Sequence, residues 1–546
     1  MHKNNVLLLA SLALFIVLSF GVASHANAAS YFVATNGNDA NSCTKAQNTA
    51  TAKRTISSGV SCVQPGDTLL LRAGTYTTVS LGSIILRGAP NTWISIKSYP
   101  GEKAIVNGGL IFYDSSYIEV ADLEITDLSF SYSSYAGNSC GVFDTACQIR
   151  SRPCDPMTVA CQDQYGAMNN GKGQWTRNGI YVNNSNPMIF RNLDIHDMFG
   201  NGIAGGGGTG KSEPYSRIQV LNNHIHNLGR RGFFNTSYCT YITGGDYTIR
   251  GNICHDTDGS DGFRLGSGYG INQNLRNSLV ENNVSYNNGG QHVYVYADSS
   301  APGGRNASFR EGGSGFTFNG DGTNNIIRNN IAYGNRHTGI AFCGQTVGSL
   351  HIYNNIAFGN GYVGMGSSCG DKSTVRNNIS YGNNLLFGSG SGYDFSYYHG
   401  SPILENNLYG TFFADPTSNS TFKNNIVGQD PRFVNAASRD FHLQSGSPAI
   451  NAGVIIPGFT GSYIGSAPDI GACEYGSGFP CPPSGSNGGT PPPTKPPVSS
   501  CSNLLNSTTA VPTSFGASFN WLSSAKELLM NVICSGSSAT ANIGNG

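Results

Sequence analysis

Charged side chains are scarce in this 546-residue chain. They make up 11% of its residues, and the 31 basic and 31 acidic side chains cancel at pH 7. A surface that binds nucleic acid needs clustered lysine and arginine, which this composition does not favour. We therefore expect no nucleic-acid partner.

Long apolar runs are also missing, with one exception near the N-terminus. Lys3 is followed by an apolar run from Val6 to Val22 and then by Ala26-Asn27-Ala28. A charged start, a short apolar run and a small-residue cleavage motif are typical of a secretory signal peptide, and the run is short for a membrane-spanning helix. We expect residues 1–28 to be removed on export, leaving a secreted or cell-surface protein without a membrane span.

Helical periodicity is absent as well, and a repeat takes its place. The repeat begins with an Asn pair and an apolar residue, followed a few positions later by glycine and another apolar residue. Its restarts are Asn222-Asn223, Gly251-Asn252, Asn282-Asn283, Asn329-Asn330, Asn354-Asn355, Asn377-Asn378, Asn406-Asn407 and Asn424-Asn425. A period of about 20 to 30 residues indicates a solenoid, and short runs of Val, Ile, Tyr and Phe broken by Asn and Gly indicate strands. The sequence thus predicts an all-β fold, a parallel β-helix over residues 81–435.

The repeated asparagines have a structural explanation. Asparagine tolerates left-handed backbone angles, and its side-chain amide can bond to the asparagine one coil above or below. Because the pairs recur in nearly every coil, we interpret them as stacked turns and not as a ligand site.

Fourteen cysteines in an exported chain favour disulfides over metal thiolates. Proximity along the chain predicts the pairs Cys43–Cys62, Cys239–Cys254, Cys343–Cys369, Cys473–Cys481 and Cys501–Cys534. Four further cysteines, evenly spaced from Cys140 to Cys161, lie in a stretch without the repeat, residues 129–177. Two disulfides within an excursion loop fit this spacing better than a zinc site, whose pairs are normally closer.

The two ends differ from the coils. Residues 29–80, which contain Pro65-Gly66-Asp67-Thr68, resemble the opening of secreted bacterial right-handed β-helix proteins, with a capping helix predicted at 54–60. Residues 436–475, which contain Pro468-Asp469-Ile470-Gly471, resemble the closing module of the same proteins. Residues 476–500 have the composition of an extended linker. The tail 501–546, bracketed by cysteines, has a helix-like patch at 521–532, and attachment to the cell surface is one candidate role for it.

One column of side chains is predicted to face solvent. Since strand residues alternate between core and solvent, the residue after each Gly-apolar restart should point outward. That column reads Tyr181, Ala204, Phe234, Arg264, Thr317 and Ala341. Sugar rings stack on aromatic faces and arginine forks onto carboxylates, which predicts substrate contacts at Tyr181, Phe234, Arg264 and Thr317. The alternative is that the exposed aromatics only stabilise neighbouring strands.

The densest polar cluster stands directly before Arg264. Three carboxylates, Asp256, Asp258 and Asp261, lie within six positions of a Gly-containing turn. Oxygen ligands on such a turn suit calcium, which is available outside the cell. The alternative is that each Asp caps its own turn through the backbone.

The segment Ser260-Asp261-Gly262-Phe263-Arg264-Leu265-Gly266 resembles the Gly-x-Gly-Phe-Lys-Leu-Gly motif of the polysaccharide lyases of family nine. This resemblance implies a right-handed β-helix, calcium, and β-elimination of an acidic, uronate-containing polysaccharide. Arg264 stands where the family has its lysine base. One coil later, Thr317 is the alternative match, and then the three Asp residues fall about where the family's calcium ligands lie.

Arginine is a good carboxylate clamp but a poor base, because its pKa stays above about 12. We name Arg264 and His255 as catalytic candidates, and His292 and Lys211 as further candidate bases. His255 also shares a column with His196 and His226 that continues as Tyr286, Tyr333, Phe358 and Tyr381. That continuation favours an aromatic stack over catalysis.

Two functional classes follow. The first is a secreted calcium-dependent lyase acting on a polysaccharide partner. The second is a non-catalytic cell-surface or matrix protein that binds glycans or partners through the same strand face, which the missing lysine favours. The Asp and Arg cluster favours the first class, and we expect a monomer in either case.

Overall fold

The computed structural model describes the chain outside several segments. The described residues are 28–78, 83–128, 178–198, 200–205, 217–229, 237–257, 261–266, 275–289, 313–319, 322–344, 346–367, 369–385, 393–397, 400–414, 419–477, 481, 529–534 and 537–542. Among them, no helix is long and apolar enough to cross a membrane.

Three parallel sheets dominate the described residues. Sheet A has the strands Ser30–Val33, Thr68–Leu71, Ile94–Ser98, Ile118–Ala121, Met188–Arg191, Ile218–Leu221, Thr248–Arg250, Leu279–Glu281, Asn325–Arg328, Leu350–Tyr353, Thr374–Arg376, Ile403–Glu405 and Thr421–Lys423. Sheet B has Gly74–Thr77, Ala104–Asn107, Glu124–Thr126, Asp194–Met198, His224–Leu228, Ile253–Thr257, Val284–Tyr286, Ile331–Tyr333, Ile356–Phe358, Ile379–Tyr381, Leu408–Tyr409 and Ile426–Val427. Sheet C has Leu110–Tyr113, Ile180–Asn183, Ile203–Gly205, Thr240–Ile242, Phe263–Leu265, Phe316–Asn319, Ile340–Cys343, Met365–Ser367, Phe395–Tyr397 and Phe412–Ala414.

Most coils contribute one strand to each sheet, so equivalent residues of successive coils pair directly. In sheet A, for example, Phe190 pairs with Val220, and Val220 pairs with Ile249. All three are buried, because alternate residues of each strand point into the space between the sheets. The predicted parallel β-helix is confirmed, and its core is a column of apolar side chains along one axis.

Asparagine ladders join the coils, as the sequence predicts. Asn330 donates from its backbone N–H and its side-chain amide to Oδ1 of Asn355, over 2.9 and 3.0 Å, and the next coil repeats the pattern. The first Asn of the pair forms the turn in the left-handed backbone conformation, with φ of 54° at Asn329 and 51° at Asn354. A second ladder, which the repeat did not predict, runs through Asn288, Asn335, Asn360 and Asn383 to Asp394.

Four of the five predicted disulfides are confirmed. They are Cys43–Cys62, Cys239–Cys254, Cys343–Cys369 and Cys473–Cys481. Cys501 and the four cysteines within 129–177 lie outside the described residues.

A short helix, Ile56–Val60, packs at the N-terminal end of the stack. It begins two residues later than predicted, because Thr55 serves as its N-cap and accepts the N–H of Ser58. Gly59 permits the close approach, since a Cβ there would stand 2.5 Å from Val33 Cγ2. Three 3₁₀ turns, Lys45–Gln47, Thr49–Thr51 and Ala436–Ser438, complete the described helical structure.

The C-terminal segment from Phe433 to Cys473 covers the outer face of the later coils of sheet B. Its hairpin of Phe433–Asn435 and Asp440–Leu443 starts a second apolar core, in which Phe441 and Ile470 pack with residues of sheet B. The sheet B members are Ile331, Ile356, Ile379 and Leu408. The segment predicted to close the solenoid thus packs along its side.

Residues 487–546 form a separate unit by their contacts. The described part of this unit is an antiparallel hairpin of Leu529–Cys534 and Ser537–Asn542. The predicted helix at 521–532 is wrong over residues 529–532, where Val532 and the next residue Ile533 are β-branched and favour a strand.

We expect Asn330→Ala to lower the free energy of unfolding by about 2–4 kcal/mol, because it leaves the buried backbone N–H and side-chain amide of Asn283 without their acceptor and removes one donor to the carbonyl of Val280. Urea unfolding followed by circular dichroism measures the change. Asn329→Gly is the matched control, and it should change stability by less than about 0.5 kcal/mol, since glycine adopts the same positive φ. An equal loss in both variants would contradict the ladder's role.

Candidate functional site

The outer face of sheet C holds the predicted solvent-facing column, with one replacement. Arg264 pairs with Thr317 on one side and with Tyr241 on the other. The prediction placed Phe234 where Tyr241 stands, and this part of it is wrong. Cys239, not glycine, precedes the strand Thr240–Ile242, so the Gly-apolar pattern pointed to Gly232-Phe233 instead. Phe234 lies outside the described residues.

The aromatic side chains of this face are less exposed than predicted. Tyr181 is only 4% exposed, and its ring centroid lies 6.1 Å from that of Tyr113. The expectation of an open sugar platform at Tyr181 is therefore wrong, because its ring packs against its neighbours on the sheet. Tyr241 is half-buried and stacks on Tyr238 at 5.1 Å.

Arg264 is held in place by a buried carboxylate. Asp261 Oδ2 accepts from Arg264 Nη1 at 3.2 Å and from the Thr317 hydroxyl at 2.9 Å. Its Oδ1 accepts the backbone N–H groups of Ser314, at 2.9 Å, and Gly313, at 3.4 Å. Asp261 thus joins two coils and fixes the direction of the guanidinium.

The guanidinium remains open to solvent in part, with 28% of the side chain exposed. It lies 5.9 Å from the centroid of the Tyr238 ring, within cation–π range. Burial lowers the pKa of Arg264, but the Asp261 carboxylate and the two tyrosines outweigh burial and raise it. Arg264 is therefore a permanent cation that can bind a carboxylate and cannot serve as a base.

His337 is a titratable group near this site that the sequence analysis missed. Its backbone N–H donates to Gly313 O at 3.1 Å, and Gly313 also bonds to Asp261. Its Nδ1 lies 3.0 Å from the Thr338 hydroxyl. Burial lowers the pKa of His337, the Asp261 charge raises it and the Arg336 charge lowers it, with a net decrease. The imidazole is consequently neutral at pH 7.

The sequence does contain a signal for His337. It stands three residues before the apolar residue Ile340 of its coil, as Gly313 stands before Phe316. Aligning the coils on that apolar residue would have placed His337 at the edge of sheet C, next to the coil of Thr317.

Two of the three predicted calcium ligands are described, and they lie at different sheets. Asp256 lies in the sheet B strand Ile253–Thr257 with a positive φ of 54°, and its Oδ2 lies 2.7 Å from His255 Nδ1. Asp261 lies before a strand of sheet C, and each of its two carboxylate oxygens already accepts two hydrogen bonds. Asp258 lies outside the described residues. Asp256 and Asp261 therefore do not fit a calcium site.

His255 belongs to the aromatic stack that the sequence predicts. Its ring is stacked between those of His226, at 5.0 Å, and Tyr286, at 4.6 Å. Burial is the main cause that lowers its pKa to about 4. His255 and Arg264 lie on different sheets, so the structure does not combine them into one catalytic site. His292 and Lys211 lie outside the described residues.

Comparisons with known proteins agree with the fold. The family described as right handed beta helix region matches residues 158–301 and 233–380. The crystal structure of pectate lyase Pel9A is similar at a TM-score of 0.50, with 20% identity over 82% of this chain and 97% of that one. A glycoside hydrolase gives a TM-score of 0.42, with 9% identity over 74% of this chain and 97% of that one.

An alginate lyase from Paenibacillus sp. gives a TM-score of 0.33, with 16% identity over 68% of this chain and 96% of that one. A search of the curated proteins found no match. The family match and the likeness to Pel9A show that this chain has a right-handed parallel β-helix fold of the pectate-lyase-like kind.

Proposed function

We propose that the face of sheet C around Arg264 binds an acidic, uronate-containing polysaccharide and cleaves it by β-elimination. One observation carries this proposal: a partly exposed guanidinium, fixed by the buried carboxylate of Asp261, stands beside stacked tyrosines. Arginine pairs with planar carboxylates through two parallel hydrogen bonds, and tyrosine rings pack against sugar rings. The likeness to a protein named as a pectate lyase supports the same substrate class.

Elimination at a 4-linked uronate begins at the carbon next to the carboxylate. A base removes the C5 proton, the electron pair forms the C4–C5 double bond, and the C4–O4 bond breaks, with O4 taking a proton from solvent. Negative charge develops on the carboxylate in the transition state, where a fixed cation stabilises it. Arg264 is placed for that role because Asp261 fixes its side chain before the substrate binds.

We assign the base to His337. It is neutral at pH 7, and its backbone N–H bonds to Gly313, whose own N–H bonds to Asp261. An imidazole that is neutral at the working pH can accept a proton and so act as a general base. His255 is a poorer candidate, because it is 6% exposed and lies on another sheet.

Calcium was predicted from the Asp cluster and from the resemblance to family nine. When bound in such a lyase, calcium would neutralise the substrate carboxylate. The carboxylates of Asp256 and Asp261 bond to other partners. We therefore propose that Arg264 supplies this positive charge and that the elimination does not require calcium.

Export fits this function. The four described disulfides are typical of proteins in an oxidising compartment, which agrees with a secreted or surface-attached enzyme. Cleavage after residue 28, a monomeric state and attachment through residues 501–546 remain predictions.

We expect the purified protein to produce an absorbance rise at about 235 nm, where the unsaturated product absorbs, with pectate, alginate or a glycosaminoglycan. The rise should persist in EDTA, and Arg264→Ala should lower kcat/KM by about 100- to 1000-fold. Arg250→Ala is the matched control, since Arg250 also pairs with a buried carboxylate, that of Glu281, but lies on sheet A. Its activity should be unchanged.

Three outcomes separate the alternatives. Loss of the rise in EDTA would show a calcium site formed by other ligands and contradict the role given to Arg264. If absorbance does not rise with any polymer but the protein migrates more slowly in gels that contain one of them, the protein binds glycans without cleaving them, and the lyase proposal is replaced by the non-catalytic one. Neither rise nor binding, in a folded protein, would overturn both.

The pH dependence tests the base separately. The neutral form of His337 is the active one, so kcat/KM should fall on the acid side with an inflection below pH 6.5 and stay level above it. His337→Gln should lower kcat by about 100-fold or more. His351→Gln on sheet A, where burial also lowers the histidine pKa, should have no effect. A rate that keeps rising above pH 8 would exclude His337 as the base.

A further inference from the structure

The outer face of sheet B changes character along the helix. Its later coils are apolar and lie under the C-terminal segment, and the cover ends where Arg439 packs over Tyr286 at 4.4 Å. The coils before Tyr286 carry polar side chains in the same columns. These are Glu124, Asp194, His196, His224, His226 and His255.

Three of these histidines bring ring nitrogens together. His224 and His226 lie two residues apart on one strand and point to the same side, and His255 pairs with His226 on the next strand. His224 Nε2 and His255 Nε2 are 2.9 Å apart. One ligand atom from each of the three histidines lies within 4.8 Å of the others.

A carboxylate of the preceding coil lies beside this group. Asp194 Oδ1 lies 3.3 Å from His224 Nδ1 and 3.3 Å from His226 Nε2. The Asp194 side chain is 43% exposed and that of His224 is 23% exposed, so an ion can reach the group from solvent.

The hydrogen-bond partner of His255 also suits a metal site. Asp256 Oδ2 lies 2.7 Å from His255 Nδ1, which places the proton on Nδ1 and leaves the lone pair on Nε2, the atom facing His224. A cation between the facing nitrogens would use these lone pairs.

The neighbouring group of Glu124, Asp194 and His196 is different. Glu124 already pairs with Lys103 and with His196, and His196 Nδ1 contacts Asp197 at 2.8 Å. Burial lowers the pKa of His196, but these carboxylates outweigh burial and raise it to about 9. A protonated imidazole in two ion pairs is not a metal ligand, so we do not assign a site there.

We propose that His224, His226 and His255 bind one zinc ion. Three imidazoles suit tetrahedral zinc with water as the fourth ligand, whereas calcium takes six or more oxygen ligands. With protein ligands from two adjacent strands, the ion would link adjacent coils and stabilise the fold. This site is independent of the function proposed for sheet C.

Titration of the chelator-treated full chain with zinc, followed by calorimetry, tests the site. We expect one ion per chain, a higher Tm with zinc, and the visible absorption of tetrahedral cobalt when Co²⁺ is bound instead. His224→Ala and His255→Phe should each weaken zinc binding by about 100-fold, and Asp256→Asn by about 10- to 100-fold. His351→Ala, a histidine on sheet A outside the group, should bind zinc as the wild type does.

His255→Phe separates ligation from packing. Phenylalanine can stack on Tyr286 as His255 does, so the variant should keep the zinc-free Tm and lose only the rise that zinc produces. Absence of saturable zinc binding, or binding that neither His224→Ala nor His255→Phe weakens, would overturn the proposal and leave the histidines as a packing stack.

Discussion

The amide-to-amide hydrogen bond between successive asparagines is the constraint on which this structure depends. Each buried Asn satisfies backbone and side-chain groups of two coils, as Asn330 does between Asn283 and Asn355. A shift by one residue would break these bonds and turn apolar side chains outward. Because the ladder fixes the register, equivalent residues of all coils align, and a short sequence motif becomes a column along the molecule.

These columns give each outer face its own chemistry. On sheet A, the few charged residues pair across coils, as Glu281 does between Arg250 and Arg328. On sheet B, one column changes from carboxylates and histidine to isoleucine, and the C-terminal segment covers only the apolar part. On sheet C, Arg264 remains partly open above Asp261. Because charged residues are scarce in this chain, a partly exposed arginine on sheet C and a group of converging histidines on sheet B are easier to interpret as sites.

The site was only partly predictable, and the errors have physical causes. Arg264 and Thr317 lie side by side as expected, because strand alternation and the repeat fix their column. Phe234 was misplaced because the strand of Tyr241 follows Cys239 instead of glycine. The proposed calcium ligands are close in sequence, yet Asp256 lies in a strand of sheet B and Asp261 precedes one of sheet C, so the two carboxylates belong to different faces of the helix. His337 is distant in sequence from Arg264, and coil stacking brings it near Asp261.

The sequence by itself determined the β-helix and the Asn ladder, because each depends on a local motif that the coils repeat, and it indicated four disulfides because their cysteines lie close along the chain. It also determined the histidine and tyrosine column, since equal spacing in the chain becomes stacking in space. Only the tertiary structure decided that Asp261 holds Arg264, that the C-terminal segment lies along sheet B, and that Asp194 approaches His224 and His226. Asp261 and Arg264 are three residues apart on one coil, whereas the other contacts join different parts of the chain, but all of them depend on side-chain direction and burial, which no local pattern encodes.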